Sequence, residues 1–318
     1  MTSPRRGPAI ALALLLASLA IAPARALDLR VELGRVPTLT ITGPGQLTPA
    51  DGGRGHAFDS LTLRVVNGRV QTDGGAHAGG LRLRPTNATL TLGGGLTGEY
   101  PGALRIDVVG TALCVVNEVD LEAYVRGVVP WEIGPSGRPA ALEAQAIAAR
   151  GFAVYRQRRT LAATPAATVD FTVAATQAYR GWARANAATD RAVAATAGQV
   201  VVLDGELVES LYSACCGGVQ AAAVEAWSTP RPGLGGDRYD RDEPLVPRLD
   251  EALLGRWLAG GGDAWCRADP VYRWHRDLPL DAALRNAERW LERAGLVAPG
   301  RLTGVRLARR WPDRKSVV

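Results

Sequence analysis

Lysine is almost missing from this chain. Lys315 is the only one in 318 residues, although Lys and Arg together number 37. Basic character therefore rests on arginine, and the formal net charge is only +6. Arg5, Arg6 and Arg25 carry three of those charges, and Asp313, Arg314 and Lys315 a net one more, which leaves +2 for the remainder. So small an excess excludes an electrostatic nucleic-acid surface. Histidine is equally scarce, with His56, His77 and His275 as the full set. His56 and His77 lie in glycine-rich stretches read as solvated loops, with no cysteine or second histidine at ligand spacing. A Ser-His-Asp or Cys-His centre would have to draw on these three. The chain also lacks a P-loop, an HExxH pair, a Cys-x-x-Cys pair and any G-x-G-x-x-G opening a helix. Acid–base chemistry is thereby left to carboxylates.

Long apolar runs are limited to the N-terminus. Arg5 and Arg6 precede an apolar run from Ala9 to Ala22, followed by Ala24-Arg25-Ala26. This is the layout of a secretory signal with an A-x-A cleavage site, so residues 1–26 are expected to be removed and the protein exported to the cell envelope or periplasm. The run is shorter than the ~20 residues a spanning helix needs, and no second run is long enough. At the other end, Asp313-Arg314-Lys315-Ser316-Val317-Val318 is what a common sequencing adapter gives on translation. Residues 313–318 are therefore read as an assembly artefact, with the natural chain expected to continue past Pro312.

What is present begins with alternation. Leu29, Val31 and Leu33 repeat at period two, as do Leu39 and Ile41, Leu61 to Val65, Leu81 and Leu83, Leu90 and Leu92, and Leu104 to Val108. Turn clusters separate them, among them Gly43-Pro44-Gly45, Asp51-Gly52-Gly53, Asp73-Gly74-Gly75 and Gly93-Gly94-Gly95. Half-buried strands at this spacing predict an all-β module over residues 27–112, a sandwich or small barrel.

The rest of the chain is organised around residues 123–157. Val125, Val128 and Val129 read as a short strand broken at Pro130, and a loop held open by Gly134, Pro135 and Gly137 presents Trp131 and Glu132. Ser136 or Gly137 is placed as N-cap, with Pro139 in the first helical turn. Leu142, Ala146, Ala149 and Ala153 then recur at the period of a buried helix face, predicting a central alanine-rich helix over 140–156. Downstream, Val200 to Leu203, an Asp204-Gly205 turn and a strand from Leu207 predict a hairpin, residues 281–294 an amphipathic helix, and Leu302 to Leu307 a strand.

Several of these strings carry a resemblance. Gly127-Val128-Val129-Pro130-Trp131-Glu132, followed by Ala141-Leu142-Glu143-Ala144-Gln145-Ala146-Ile147-Ala148-Ala149-Arg150, resembles the signature of the SpoIID/LytB family. The match extends to Val116–Tyr124, to Gln177-Ala178-Tyr179-Arg180-Gly181, to Ala192-Val193 with Thr196 and Gly198, and to the Cys216-Gly217-Gly218 close. The resemblance implies an α+β protein: the β module followed by a mixed α+β SpoIID-like domain over 113–312. It implies an enzyme, a lytic transglycosylase that cleaves peptidoglycan glycan strands, with Glu132 as general acid and base. Strands already stripped of their stem peptides are the implied substrate, and no cofactor is required. Arg150, Gln145, Gln177 and Tyr179 match family positions and are candidate substrate-binding residues. A structural ion pair of Arg150 with Glu143 or Asp170 is the competing reading. Gly151 stands where the family usually has threonine. The other role the family implies is non-catalytic: a glycan-binding enhancer of a cell-wall amidase.

Four cysteines in an exported chain favour disulfides. Adjacent Cys215 and Cys216 would bond only under strain, so Cys216 with Cys266 is the favoured pair, leaving Cys114 and Cys215 paired or free. Some relatives hold zinc near the Cys-Gly-Gly with a histidine. Here Ser213 takes the histidine's place, which makes zinc near Cys216 the lesser alternative.

Overall fold

The computed structural model describes residues 27–218, 222–224, 230–235, 264–272, 277, 279–293, 309–310 and 316–317. The expected signal segment 1–26, His275 and the expected Leu302–Leu307 strand fall outside the described residues. Of the terminal hexapeptide only Ser316–Val317 is described, paired with Arg309–Arg310. The architecture is α+β, with the strands concentrated before residue 121 and the helices after it.

Ten strands precede the first helix: β1 (Asp28–Val36), β2 (Thr38–Pro49), β3 (His56–Val66), β4 (Arg69–Thr72), β5 (Gly75–His77), β6 (Leu81–Pro85), β7 (Thr89–Gly93), β8 (Gly98–Pro101), β9 (Ala103–Val109) and β10 (Ala112–Asp120). With β11 (Phe171–Thr172) they form one sheet in the order β11-β1-β10-β9-β6-β2-β3-β4-β5, and β7 bridges β2 and β8. All these pairings are antiparallel except β1 with β11. The period-two leucines point inward: Leu29, Val31, Leu39, Ile41, Leu63 and Leu83 are fully buried. Each such side chain contributes about 1.5–3 kcal/mol, and a one-residue register slip would turn the whole set to solvent.

Two expectations change here. Gly43-Pro44-Gly45 is not a turn between strands but a bulge inside β2, where the register shifts between Thr42 and Gly45. The irregularity lets β2 change partners, pairing with β7 through Thr40–Thr42 and with β6 through Gly45–Pro49. The kink follows from a proline that cannot donate to the ladder and a glycine at φ +117°. His56 and His77 are strand residues rather than loop residues, at the start of β3 and the end of β5. Residue 112, where the sequence suggests a module boundary, begins β10, and the one sheet runs across it, with β10 pairing both β9 and β1.

The second half supplies α1 (Leu121–Glu132), α2 (Pro139–Ala163), α3 (Ala187–Ala195) and the hairpin β12 (Val202–Leu203) to β13 (Glu206–Leu207). The hairpin turn has Asp204 at φ 51° and Gly205 at φ 83°, the two left-handed positions a type I′ turn needs. A further helix, Leu280–Arg293, starts and ends one residue before the expected span.

Helix α1 corrects the strand-then-loop reading of 121–132. Asp120 Oδ1 accepts from the backbone N–H groups of Glu122 (2.9 Å) and Ala123 (3.2 Å), an N-cap that commits the chain to helix. Leu121, Tyr124, Val125, Val128 and Val129 are all buried on one face. That is the i, i+3, i+4, i+7, i+8 stripe of an amphipathic helix. Pro130 lies in the last turn, so the bond it removes, to the Arg126 carbonyl, disturbs only the end of the helix. Helix α2 runs seven residues past its expected end and is entered through Arg138, not Ser136 or Gly137, with Pro139 at its first position. Leu142, Ala146, Ala149 and Ala153 form its buried stripe, as the periodicity predicts. The alanines leave room for α1 and α3 to pack on α2.

Candidate functional site

Glu132 is the last residue of α1 and half-buried. Its Oε1 accepts a hydrogen bond of 2.6 Å from the backbone N–H of Ala178. The segment that delivers this N–H is fixed on both sides of it. On one side, Gln177 is buried with its amide fully used: Oε1 accepts from the Tyr124 hydroxyl (3.0 Å), and Nε2 donates to Ala149 O (3.2 Å) and to the Tyr212 hydroxyl (2.9 Å). On the other, the Tyr179 hydroxyl donates to Asn117 Oδ1 at 2.7 Å, and Asn117 Nδ2 donates to the carbonyls of Pro101 and Ala103. Gly181, at φ +66°, lets the chain run against β8, where an added Cβ would lie 2.0 Å from Glu99 O.

Beneath this segment the rings of Tyr100, Tyr124, Phe171 and Tyr179 stack edge-on or tilted, with centroids 4.6–5.7 Å apart. Burial pushes the Tyr124 and Tyr179 phenols well above their ordinary range and Tyr100 up to about 12. Tyr212 borders Glu132, Gln177 and Gln145. Burial raises its phenol strongly; the Gln177 amide lowers it, and the Glu132 carboxylate raises it further. Tyr212 therefore stays a neutral hydroxyl across the physiological range. Because its oxygen already accepts from Gln177, its proton is available to an acceptor such as Glu132.

The sequence candidates thus divide. Glu132, Gln145 and Gln177 are brought together, with Gln177 behind Tyr212 rather than on the surface. Tyr179 is 1% exposed and packs under the segment. Arg150 is 0% exposed, and its donors are committed: Nε and Nη2 to the Glu122 carboxylate at 2.8 and 2.7 Å, Nη1 to Gln199 O at 3.0 Å. Its ion-pair partner is Glu122, not Glu143 or Asp170. Asp170 instead pairs with Arg30 and accepts from Gln157. Sequence reasoning missed Tyr212, although it stands four residues before the Cys216-Gly217-Gly218 close. It also missed the role of Trp131, whose ring lies under two guanidinium groups, Arg180 at 5.2 Å and Arg184 at 4.7 Å.

The Gly151 position has a physical filling. An added Cβ there would meet Ser210 Oγ at 2.7 Å, so the serine hydroxyl occupies the space a larger residue would need. The Cys216 and Cys266 sulfurs, the pair favoured from sequence, lie 3.8 Å apart, farther than the length of a disulfide bond. Ser213 stands where a ligand would be needed, and among the described residues no three His, Cys, Asp or Glu side chains group to hold a metal ion.

Fold and cluster together define an α+β protein with a carboxylate at the end of a buried helix, set among amide, phenol and backbone donors. Residues 109–203 match the SpoIID family, described as Stage II sporulation protein, so this segment is similar to the SpoIID/LytB family. An uncharacterized protein of Brachyspira hyodysenteriae is 36% identical over 138 residues, which is 43% of this chain and 37% of that protein. A Bacillus subtilis protein named amidase enhancer is 29% identical over 200 residues, 62% of this chain and 26% of the relative. The chain thus spans between about a quarter and two fifths of the length of these curated relatives. No helix among the described residues is long and apolar enough to cross a membrane.

Proposed function

We propose that the protein works outside the cytoplasm on peptidoglycan glycan strands, cutting them by lytic transglycosylation with Glu132 as acid and then base. One observation carries this reading. Three acids on or beside these helices are tied to arginines, Glu122 to Arg150, Asp190 to Arg126 and Glu209 to Arg231, while Glu143 on α2 forms no ion pair among the described residues. Glu132 is held by a backbone N–H and bordered by the neutral Tyr212. An arginine partner locks a carboxylate in its charged form, whereas a carboxylate among neutral donors can carry a proton and lose it again.

The reaction uses both states. Protonated Glu132 donates to the oxygen joining N-acetylmuramic acid to N-acetylglucosamine, and the bond from the muramyl anomeric carbon to that oxygen breaks. The resulting carboxylate takes the proton of the muramyl 6-hydroxyl, whose oxygen closes on the anomeric carbon as a 1,6-anhydro ring. Tyr212 and the Ala178 N–H orient the carboxyl through both steps. No cofactor enters, and the preferred strands are those already stripped of peptide.

The amidase-enhancer name of the Bacillus relative supports a second reading, a glycan-binding module that stimulates a wall amidase. Mass spectrometry of peptide-free strands incubated with the parent and with Glu132→Gln separates the two. Anhydro-ended fragments from the parent alone establish the transglycosylase. Reducing-end products mean hydrolysis. Bound but uncut strands, with a wall amidase accelerated equally by both proteins, establish the enhancer.

A further inference from the structure

Two donors stand unsatisfied next to Glu132 or beside its neighbour Tyr212. Trp131 Nε1 and Gln145 Nε2 are buried atoms with no hydrogen-bond partner among the described residues. Arg180 and Arg184 are exposed, lie over the Trp131 ring, and form no ion pair among the described residues. Arg126, the other stacked cation nearby, covers Trp182 at 3.9 Å but is neutralised by Asp190. A buried donor without an acceptor is costly. Two like charges on one indole also repel each other unless an anion comes between them. Neutral sugar hydroxyls could accept from the buried donors but would not relieve the repulsion of the two cations. A planar anion answers both.

We propose that Arg180 and Arg184, braced on Trp131 beside Glu132, form a carboxylate-reading subsite that selects muramyl residues whose lactyl carboxyl is free. Stacking on the indole uses the π faces of the guanidinium groups and leaves their in-plane N–H donors for a carboxylate, the geometry in which arginine binds two oxygens at once. The position suits the substrate. The lactyl ether stands on the muramyl ring itself, so a carboxyl group working at that sugar's anomeric bond has the lactyl carboxylate within one ring's width. Where a stem peptide is attached, the same carbon is an amide, which carries no charge and offers one oxygen fewer. Selection for stripped strands then comes from two arginines and an indole, of which Arg184 lies outside the matched family strings.

This inference rests on the glycan reading above, and one binding experiment tells the two apart. Glu132→Gln, which leaves the strand uncut, is titrated calorimetrically with peptide-free N-acetylglucosaminyl–N-acetylmuramic acid oligosaccharides. It is titrated again with the same oligosaccharides after conversion of the lactyl carboxyls to methylamides. The free acid is expected to bind about 10-fold or more tightly, the discrimination expected of a charge-assisted bidentate contact. Adding Arg180→Gln and Arg184→Gln together should bring the ratio within about 2-fold while leaving methylamide binding unchanged. Thermal melts should not move, because both side chains are exposed. Equal binding of the two probes by the Glu132→Gln protein, or a preference that survives the double arginine change, overturns the subsite and leaves the glycan reading standing. Binding of neither probe overturns both.

Discussion

The most informative perturbation away from the reacting carboxyl is Glu122→Gln. Arg150 reaches Glu122 through two parallel bonds of 2.8 and 2.7 Å, its side chain is 1% exposed, and Glu122 also accepts from the backbone N–H of Gly198 at 3.1 Å. The guanidinium additionally donates to Gln199 O, and to Ala146 O and Val193 O at 3.4 and 3.5 Å, so it fastens α1, α2 and the end of α3 to one another. Removing one partner of a buried pair costs about 3–5 kcal/mol because the remaining charge stays buried. Glu122 is 35% exposed, so water reaches the vacated side. The expected loss is therefore reduced to about 2–3 kcal/mol, or roughly 4–12 °C in Tm. Urea unfolding followed by tryptophan fluorescence measures it. Replacing both residues, Glu122→Leu with Arg150→Met, should return at least half of the loss, since an apolar pair leaves no buried charge. A Glu122→Gln loss below about 1 kcal/mol would refute the reasoning. So would a double variant that regains stability yet cannot cut strands, because Arg150 would then be acting on substrate rather than on the fold.

Two further outcomes follow from particular contacts. Gly151→Ala gains helix propensity worth about 1 kcal/mol but collides with Ser210 Oγ, so the single change should be near neutral and become stabilising in a Ser210→Ala background. Additive effects in that double-mutant cycle would remove the steric account of Gly151. At alkaline pH the buried tyrosines dominate. Tyr124, Tyr179 and Tyr212 are raised above their unfolded value near 10, so their contribution is complete below pH 10 and declines as pH rises toward their folded values. The slope is about 1.4 kcal/mol per pH unit for each tyrosine. Tyr124→Phe should lower the alkaline slope of unfolding free energy by about one proton's worth, and an unchanged slope above pH 10 would contradict the burial.

The β half was legible because its signal is periodic and local. Leu39, Ile41, Leu61, Leu63, Leu81 and Leu83 alternate, and one buried face is all the alternation has to encode. Partner choice was not legible: Gly43-Pro44-Gly45 looks the same as a turn or as a bulge, and what decides is the two strands waiting on either side of it. Helix α1 was misread for a different reason. Val125, Val128 and Val129 favour strand by propensity, and Pro130 reads as a breaker. The five buried positions from Leu121 to Val129 nevertheless keep helical spacing, and Asp120 with Glu122 is an N-terminal signal. Tertiary burial of that stripe outweighed the propensity. Glu132 was found as a residue but placed on the wrong element. Trp131 was seen without its purpose, because Arg180 and Arg184 are almost fifty residues away and nothing local links them to it.

The motif residues outside Glu132 divide by what they touch, and the division explains how one carboxyl is positioned. Asn117, Tyr124, Gln177 and Tyr179 are buried, and their hydrogen bonds run among themselves and to Pro101, Ala103, Ala149 and Tyr212. Arg150 joins three helices from within. Gly127 has no side chain because Tyr179 stands there, its ring 2.5 Å from where a Cβ would be. Each of these contacts brings the 177–182 segment closer to the end of α1 or holds it there. The outcome is a single bond, from the Ala178 N–H to Glu132. A carboxyl that must both give and take a proton cannot be fixed by a salt bridge, which would hold it in one protonation state. A backbone donor fixes its position without bringing a full opposite charge beside it, and a backbone donor can be aimed only by the fold. The buried polar lattice is that aiming device, and so residues that never meet a glycan belong to the same signature as the one proposed to cut it.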